Sequence, residues 1–258
     1  MSELAIVIPA YNEEKRIEKT LKAYLLYFRK LPKKNLKNFK IIVVLNNCSD
    51  GTEKIVKKNI CKNIEMLNFK KGGKGFAVIE GFKHALRGNY THIGFVDADM
   101  STSPEEYYRL YSKIENNDGV IASRYLKGAK LSPSNTLPRI LASRVYNSLI
   151  RATLQIPYRD TQCGAKIFRR KTIYQIINKM GMTSWAFDIE MLYLMNKNKF
   201  KIIEVPTIWS NRDYSKINFW KSGPWMAMSV LRFRLINSPL KKMIRIYDKF
   251  IRFFKPSM

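Results

Sequence analysis

Four apolar residues, 93–96, run without a polar break into Asp97-Ala98-Asp99. An uninterrupted apolar run of this length, bounded by polar residues, reads as a strand covered on both faces. Side chains alternate along a strand, so Asp97 and Asp99 converge on one ion only where the strand has given way to a loop. Ala98 keeps that turn uncrowded. Paired carboxylates of this kind suit Mg²⁺ or Mn²⁺, which complete their shells with water and substrate phosphates. D-x-D is also common on plain surfaces, so its weight comes from position. Ligands of open α/β sheets gather at the carboxyl ends of the strands.

The flanking chain supplies the rest of such a sheet. Residues 4–8 read as a first strand, with a helix opening at Asn12 and running to about residue 28. Residues 39–45 form a second buried strand, followed by a turn of capping residues and a helix to about 59. A weaker strand lies near 65–69, and Gly72-Gly73-Lys74-Gly75 opens a helix to residue 87. Strand and helix in alternation mean a mostly parallel sheet with right-handed crossovers, flanked by helices. Beyond residue 120 the pattern loosens. A strand is expected at 120–124, a helix at 138–156, a loop and strand at 160–168, a helix at 185–196 and a strand at 202–208. On the 138–156 helix, Leu141, Val145 and Leu149 make one stripe, and Arg139, Ser143, Asn147 and Arg151 another.

Charge separates this chain from ordinary globular domains. Lys and Arg number 47 against 20 acids, a net +27. Such an excess implies a polyanionic partner: nucleic acid, an anionic membrane face, or phosphorylated substrates. From residue 119 to 184 the only acid is Asp160. After residue 240, Lys242, Arg245, Lys249 and Arg252 share one helical face, while Met243, Tyr247, Phe250 and Phe254 share the opposite one. That pattern is a basic amphipathic helix suited to a membrane surface. A terminal helix packed on its own domain would look similar. The three cysteines have no metal-binding spacing, and with two histidines they leave a zinc site improbable. No signal peptide and no stretch of the ~20 apolar residues of a membrane span is found. The expectation is a cytoplasmic protein, peripheral on a membrane, with a catalytic domain over 1–219 and a basic surface segment over 220–258.

Several strand ends meet at one edge: Pro9-Ala10-Tyr11, Leu45-Asn46-Asn47, Asp97-Ala98-Asp99 and Ser123-Arg124. They offer a ring for stacking, amides for a base edge, carboxylates for a metal and a guanidinium, an inventory that fits a nucleotide diphosphate held through a divalent ion.

Taken together, the blocks resemble a family. Ile8-Pro9-Ala10-Tyr11-Asn12-Glu13-Glu14, Asn47-Cys48-Ser49-Asp50-Gly51-Thr52, Gly73-Lys74-Gly75 and Asp97-Ala98-Asp99 are similar to the family 2 inverting glycosyltransferases of GT-A, Rossmann-like fold. Ala122-Ser123-Arg124, the run 160–168 and Trp185-Ala186-Phe187-Asp188-Ile189-Glu190 resemble its polyprenyl-phosphate sugar synthases. The nearest branch is the dolichyl-phosphate β-glucosyltransferases, with the mannosyl synthases close behind. The resemblance runs from about residue 4 to 216. It implies that Pro9, Ala10, Tyr11, Glu13, Leu45, Asn47 and Lys74 hold the nucleotide sugar, with Ala98 lining the site. It implies Asp97 and Asp99 for metal and diphosphate, Arg124 for the diphosphate, and Arg139, Ser143, Arg212 and Lys216 for the lipid phosphate.

Two positions depart from the family pattern. Asn46-Asn47 stand where an acidic pair is common, and Ser101, a weaker metal ligand, stands where the mannosyl enzymes can supply a third one. The implied reaction is hexose transfer, glucose from UDP-glucose first, to a dolichyl or polyprenyl phosphate. GDP-mannose is the alternative donor. A glycan hydroxyl is the alternative acceptor, and that would need a carboxylate base such as Asp188 or Glu190. A non-catalytic nucleic-acid-binding protein rests on the +27 charge alone.

Overall fold

The computed structural model describes residues 3–133, 136–181, 186–210 and 219–244, with the backbone alone at 139, 219–226 and 240. The chain divides into two compact units, residues 1–135 with 158–215, and residues 136–157 with 216–258.

The first unit is built on the expected alternation. Strands β1 (Glu3–Ala10), β2 (Asn38–Asn46), β3 (Ile64–Phe69) and β4 (His92–Val96) are joined by helices α1 (Ile17–Lys30), α2 (Thr52–Lys58) and α3 (Lys74–Ala85). Then follow α4 (Pro104–Ser112), β5 (Gly119–Ser123) and β6 (Lys130–Ser132). After helix α5 (Leu137–Leu154), which belongs to the second unit, come β7 (Ala165–Arg169), α6 (Arg170–Ile176), α7 (Phe187–Lys197), β8 (Ile202–Pro206) and β9 (Ile208–Ser210). The main sheet has seven strands in the order β3-β2-β1-β4-β7-β5-β8, and β6 pairs with β9 in a parallel two-stranded sheet. Every pairing in the main sheet is parallel except those of β7, which runs antiparallel to both β4 and β5.

Both faces of the sheet are covered, as the apolar runs require. On one side Leu4, Ile6 and Ile8 meet Ile17, Leu21, Tyr24 and Phe28 of α1 and Tyr107, Leu110 and Tyr111 of α4, all buried. Burying one such side chain contributes roughly 1.5–3 kcal/mol. On the other side α3 lies close to β1. A Cβ on Gly81 would fall 2.4 Å from Val7 Cγ1, so only glycine permits that approach. Phe95 of β4 packs between Phe82 of α3 and Phe187 of α7.

Two local expectations are corrected, and the covered side of α5 is found. Asn12 does not cap α1, which begins only at Ile17. Instead Asn12 takes a left-handed φ of 52° and its Oδ1 accepts from the Ser49 amide at 2.8 Å, lacing the β1 loop to the β2 loop. On α5 the stripe of Leu141 and Val145 is exposed, and the buried residues are Tyr146, Asn147, Ile150 and Leu154. The late strand at 202–208 is two strands, with Thr207 between them.

In the second unit α5 packs on α8 (Phe219–Ile236), and a 3-10 turn follows at Pro239–Met243. The basic amphipathic helix expected after residue 240 falls almost entirely outside the described residues, as do Trp185, Arg212 and Lys216. Among the described residues no helix is long and apolar enough to cross a membrane.

Candidate active site

Parallel pairing brings the carboxyl ends of β1, β2, β4 and β5 to one edge, and antiparallel β7 enters at that same edge. Its first residue, Ala165, lies in register with Val96. The Asp97 amide donates to the Gly164 carbonyl at 3.1 Å. Past that point the turn is fastened from α1. Thr20 Oγ1 donates to the Ala98 carbonyl at 2.7 Å, and the buried Tyr24 hydroxyl donates to the Thr102 carbonyl at 2.9 Å. Met100 sits at φ 60°, and the Ser101 amide donates to Asp99 Oδ1 at 2.9 Å. Both carboxylates are partly exposed; Ala98 is buried beneath them. Ser101 is buried, and its carbonyl accepts from the Ser210 amide at 2.8 Å.

Cations line this edge, one of them in contact with Asp97. Lys74 Nζ lies 2.5 Å from Asp97 Oδ1. Burial works to lower the Lys74 pKa, but Asp97 and Asp188 outweigh it and hold the ammonium above its ordinary value. Behind Asp97, the fully buried Lys166 donates to Asp188 Oδ1 and to the Cys163 carbonyl, each at 2.6 Å. Burial pushes the Asp188 carboxyl up, against the pull of Lys166 and Lys74. Arg124 donates through its amide, Nε and Nη2 to the fully buried Asp160, at 2.8–2.9 Å. Its guanidinium also stacks near Trp209 and Tyr125. Burial raises Asp160, yet its contacts with Arg124 bring it below the ordinary carboxylate range. Buried Cys163, between these pairs, is pushed up to about 12.

On the β1–β2 side, Pro9, Ala10 and Leu45 are buried, and the Tyr11 ring is 53% exposed. Glu13 is held by Arg16 through Nε at 2.7 Å and Nη2 at 2.8 Å. Burial, reinforced by the nearby Asp99 and Asp97, raises the Glu13 pKa despite Arg16. Asn46 and Asn47 divide their tasks. Asn46 is buried, its Nδ2 donating to the Ala10 carbonyl and its Oδ1 accepting from the Gly73 amide. Asn47 is exposed at φ 60°, and its side chain makes no hydrogen bond among the described residues.

The edge therefore gathers Pro9, Ala10, Tyr11, Glu13, Leu45, Asn47, Lys74, Asp97, Ala98, Asp99 and Arg124 within the first unit. Ser143 lies in the second unit, where its carbonyl accepts from Asn147 Nδ2 at 3.0 Å. Three residues that sequence reasoning gave no role turn out to shape the edge, Thr20, Gly164 and Lys166, and Asn46, expected to offer its amide to a base edge, instead ties Ala10 to Gly73. Lys166 did carry a signal, being a cation inside an otherwise apolar strand.

Does this donor set fit a divalent ion? Among the described residues no three His, Cys, Asp or Glu side chains cluster as a complete cage. Two hard carboxylates are chemically suited to form part of a divalent-ion shell whose other ligands come from substrate and water. The site fits such an ion.

Comparison with known proteins shows the family and the fold. The family described as "Glycosyl transferase family 2" matches residues 5–177. A dolichyl-phosphate beta-glucosyltransferase of Dictyostelium discoideum is 32% identical over 243 residues, covering 90% of this chain and 73% of that protein. The Saccharomyces cerevisiae protein of that name is 30% identical over 254 residues, covering 90% and 74%. Among solved structures, glucosyl-3-phosphoglycerate synthase from Mycobacterium tuberculosis, in complex with UDP, superposes with a TM-score of 0.65 at 16% identity, over 91% of this chain and 79% of that one. Staphylococcus aureus TarS 1–349 in complex with UDP-GlcNAc gives 0.58 at 19% identity, over 93% and 68%. At such identities the two structures speak for the fold alone.

Proposed function

The chain belongs to glycosyl transferase family 2, and from that premise we propose that it moves glucose from UDP-glucose to the phosphate of a polyprenyl or dolichyl phosphate, inverting the anomeric carbon. What carries this reading is the similarity to dolichyl-phosphate beta-glucosyltransferases along 90% of the chain. The acceptor chemistry is consistent with it. A phosphate monoester, with a second pKa near ~6, is already ionised at neutral pH and needs no base. A sugar hydroxyl would need one, and the two candidates are committed elsewhere. Asp188 is paired with Lys166, and buried Glu190 accepts from the Gly181 amide at 3.0 Å.

In this reading an oxygen of the lipid phosphate attacks the anomeric carbon. The bond from that carbon to the diphosphate breaks, and UDP leaves with its electrons. Asp97 and Asp99 would hold a Mg²⁺ or Mn²⁺ ion, which would supply positive charge to the leaving diphosphate. Tyr11 stacks on the base, Asn47 reads its edge, and Pro9, Ala10, Leu45 and Ala98 line the nucleoside pocket. Glu13, oriented by Arg16, faces the ribose. Lys74 and Arg124 add positive charge beside the diphosphate, and the Ser101 backbone aims Asp99. Arg139, Ser143, Arg212 and Lys216 would receive the acceptor phosphate. We assign catalysis to residues 1–219 and attachment to an anionic membrane surface, on its cytoplasmic face, to the basic segment 220–258.

The test is direct. Purified protein and Mg²⁺ are incubated with UDP-glucose, GDP-mannose or UDP-GlcNAc and a polyprenyl phosphate, and the lipid product is identified by mass spectrometry. Glucosyl phospholipid is expected from UDP-glucose. Product from GDP-mannose alone, or none from any donor, would overturn the reading.

A further inference from the structure

Lys74 is the first residue of α3, where a cation opposes the helix dipole. The first turn of α3 carries no acid to compensate. Helix stability thus does not explain the residue, whereas the sheet edge does. Asn46 Oδ1 fixes the Gly73 amide at 3.2 Å, and Gly73 takes a φ of 119°. That bend aims the side chain across the edge to Asp97, 2.5 Å away. Its ammonium passes 5.8 Å from the centre of the Phe95 ring and 6.0 Å from that of Phe187. Of the other acids close by, Asp188 already has Lys166, and Asp99 accepts from the Ser101 amide.

We propose that Lys74 is a resident counter-cation that guards Asp97 and makes the edge take up a divalent ion together with a nucleoside diphosphate rather than alone. The proposal rests on the reading that Asp97 and Asp99 hold the metal. A bare divalent ion reaching Asp97 meets an ammonium already on the carboxylate, and like charges at that distance repel. An ion arriving with a diphosphate brings its own negative charge. The ammonium then transfers to a phosphate oxygen, for which lysine is well suited as a compact charge on a flexible stem. With 39% of its side chain exposed, Lys74 has room to make that move.

The experiment uses Mn²⁺ as the probe, its free concentration followed by electron paramagnetic resonance, with and without UDP. The wild type should bind bare Mn²⁺ weakly and Mn²⁺ with UDP much better. Lys74→Met should bind bare Mn²⁺ about tenfold tighter and lose most of the gain from UDP, a coupling of ordinary size. Lys74→Gln, checked like Lys74→Met for native circular dichroism, should behave the same way, and Lys74→Arg should stay close to wild type. If bare Mn²⁺ affinity is unchanged or weaker in both neutral variants while the wild type binds Mn²⁺ with UDP, the guarding role is wrong. Should the wild type fail to bind Mn²⁺ even with UDP, the metal reading itself falls, and this inference with it.

Discussion

Gly164 lies so close to Asp97 that a Cβ built on the glycine would stand 2.0 Å from Asp97 Oδ2. No side chain fits there unless the carboxylate moves, and α1 fastens the turn that carries it. Gly164→Ala should therefore strike activity harder than stability. Overpacking costs ~1–3 kcal/mol, while a misplaced charge contact typically costs ~10²-fold in turnover. Thermal melts and kcat measured side by side check this. A variant that loses several degrees but keeps full turnover would show that Asp97 tolerates displacement.

Asp97→Asn and Asp99→Asn should each cut glucosyl transfer by ~10²-fold or more and leave the circular dichroism spectrum native. Near-normal turnover in either variant with Mg²⁺ as the only metal would remove that carboxylate from the site.

The Lys166–Asp188 pair is buried on both sides, so breaking it from one side should be costly. Lys166→Met strands the Asp188 carboxylate and is expected to lower unfolding free energy by ~3–5 kcal/mol. Adding Asp188→Leu to that variant should restore most of the loss. Urea denaturation of both variants decides the point; equal losses would mean that packing, not charge, sets the cost.

His92 gives the fold an acid-sensitive term. Burial, with Arg169 adding to it, lowers its pKa from 6.5 to about 4. A depressed folded-state value means stability that is complete above pH 6.5 and drains away as pH falls toward 4. At pH 4.5 the unfolded chain binds this proton and the folded one largely does not, a difference of roughly 2–3 kcal/mol. His92→Phe should flatten that part of the profile in denaturation at pH 7 and 4.5. An unchanged slope would assign the acid loss to carboxylates instead.

The base should be uracil. The Asn47 amide offers one acceptor and one donor, which match uracil N3–H and a neighbouring carbonyl, whereas guanine presents two adjacent donors. Calorimetry in Mg²⁺ should find UDP favoured over GDP by ~1–3 kcal/mol, with the gap narrowing in Asn47→Asp. Tighter GDP binding by the wild type would reverse both the base and the favoured sugar.

Much of this edge was readable in advance because it depends on local pattern. Apolar runs of strand length stop at Ala10, Leu45 and Val96, and polar residues suited to ligands follow them directly. What escaped depends on partners far along the chain. Lys166 tolerates burial only because Asp188 arrives from α7, and Asn46 looked interchangeable with Asn47 until Gly73 and Ala10 claimed its amide. Periodicity on α5 found the apolar residues but not which of them would be covered: Leu141 and Val145 are exposed while Tyr146 and Ile150 are buried. A helix with apolar residues on more than one side does not announce which side it will cover.

The reversed strand β7 also sets a timetable. As the chain is made, β1, β2, β3 and β4 can pair as soon as they emerge, since each borders strands already present. The amide of Asp97 must wait for Gly164, which arrives only after α4, β5, β6 and α5 have been synthesised. Contacts of such long sequence separation close late. A ribosome-bound fragment ending before β7 would thus hold a half-built sheet with the D-x-D turn lacking its Gly164 support, and the final placement of Asp97 would be one of the last features the nascent protein acquires.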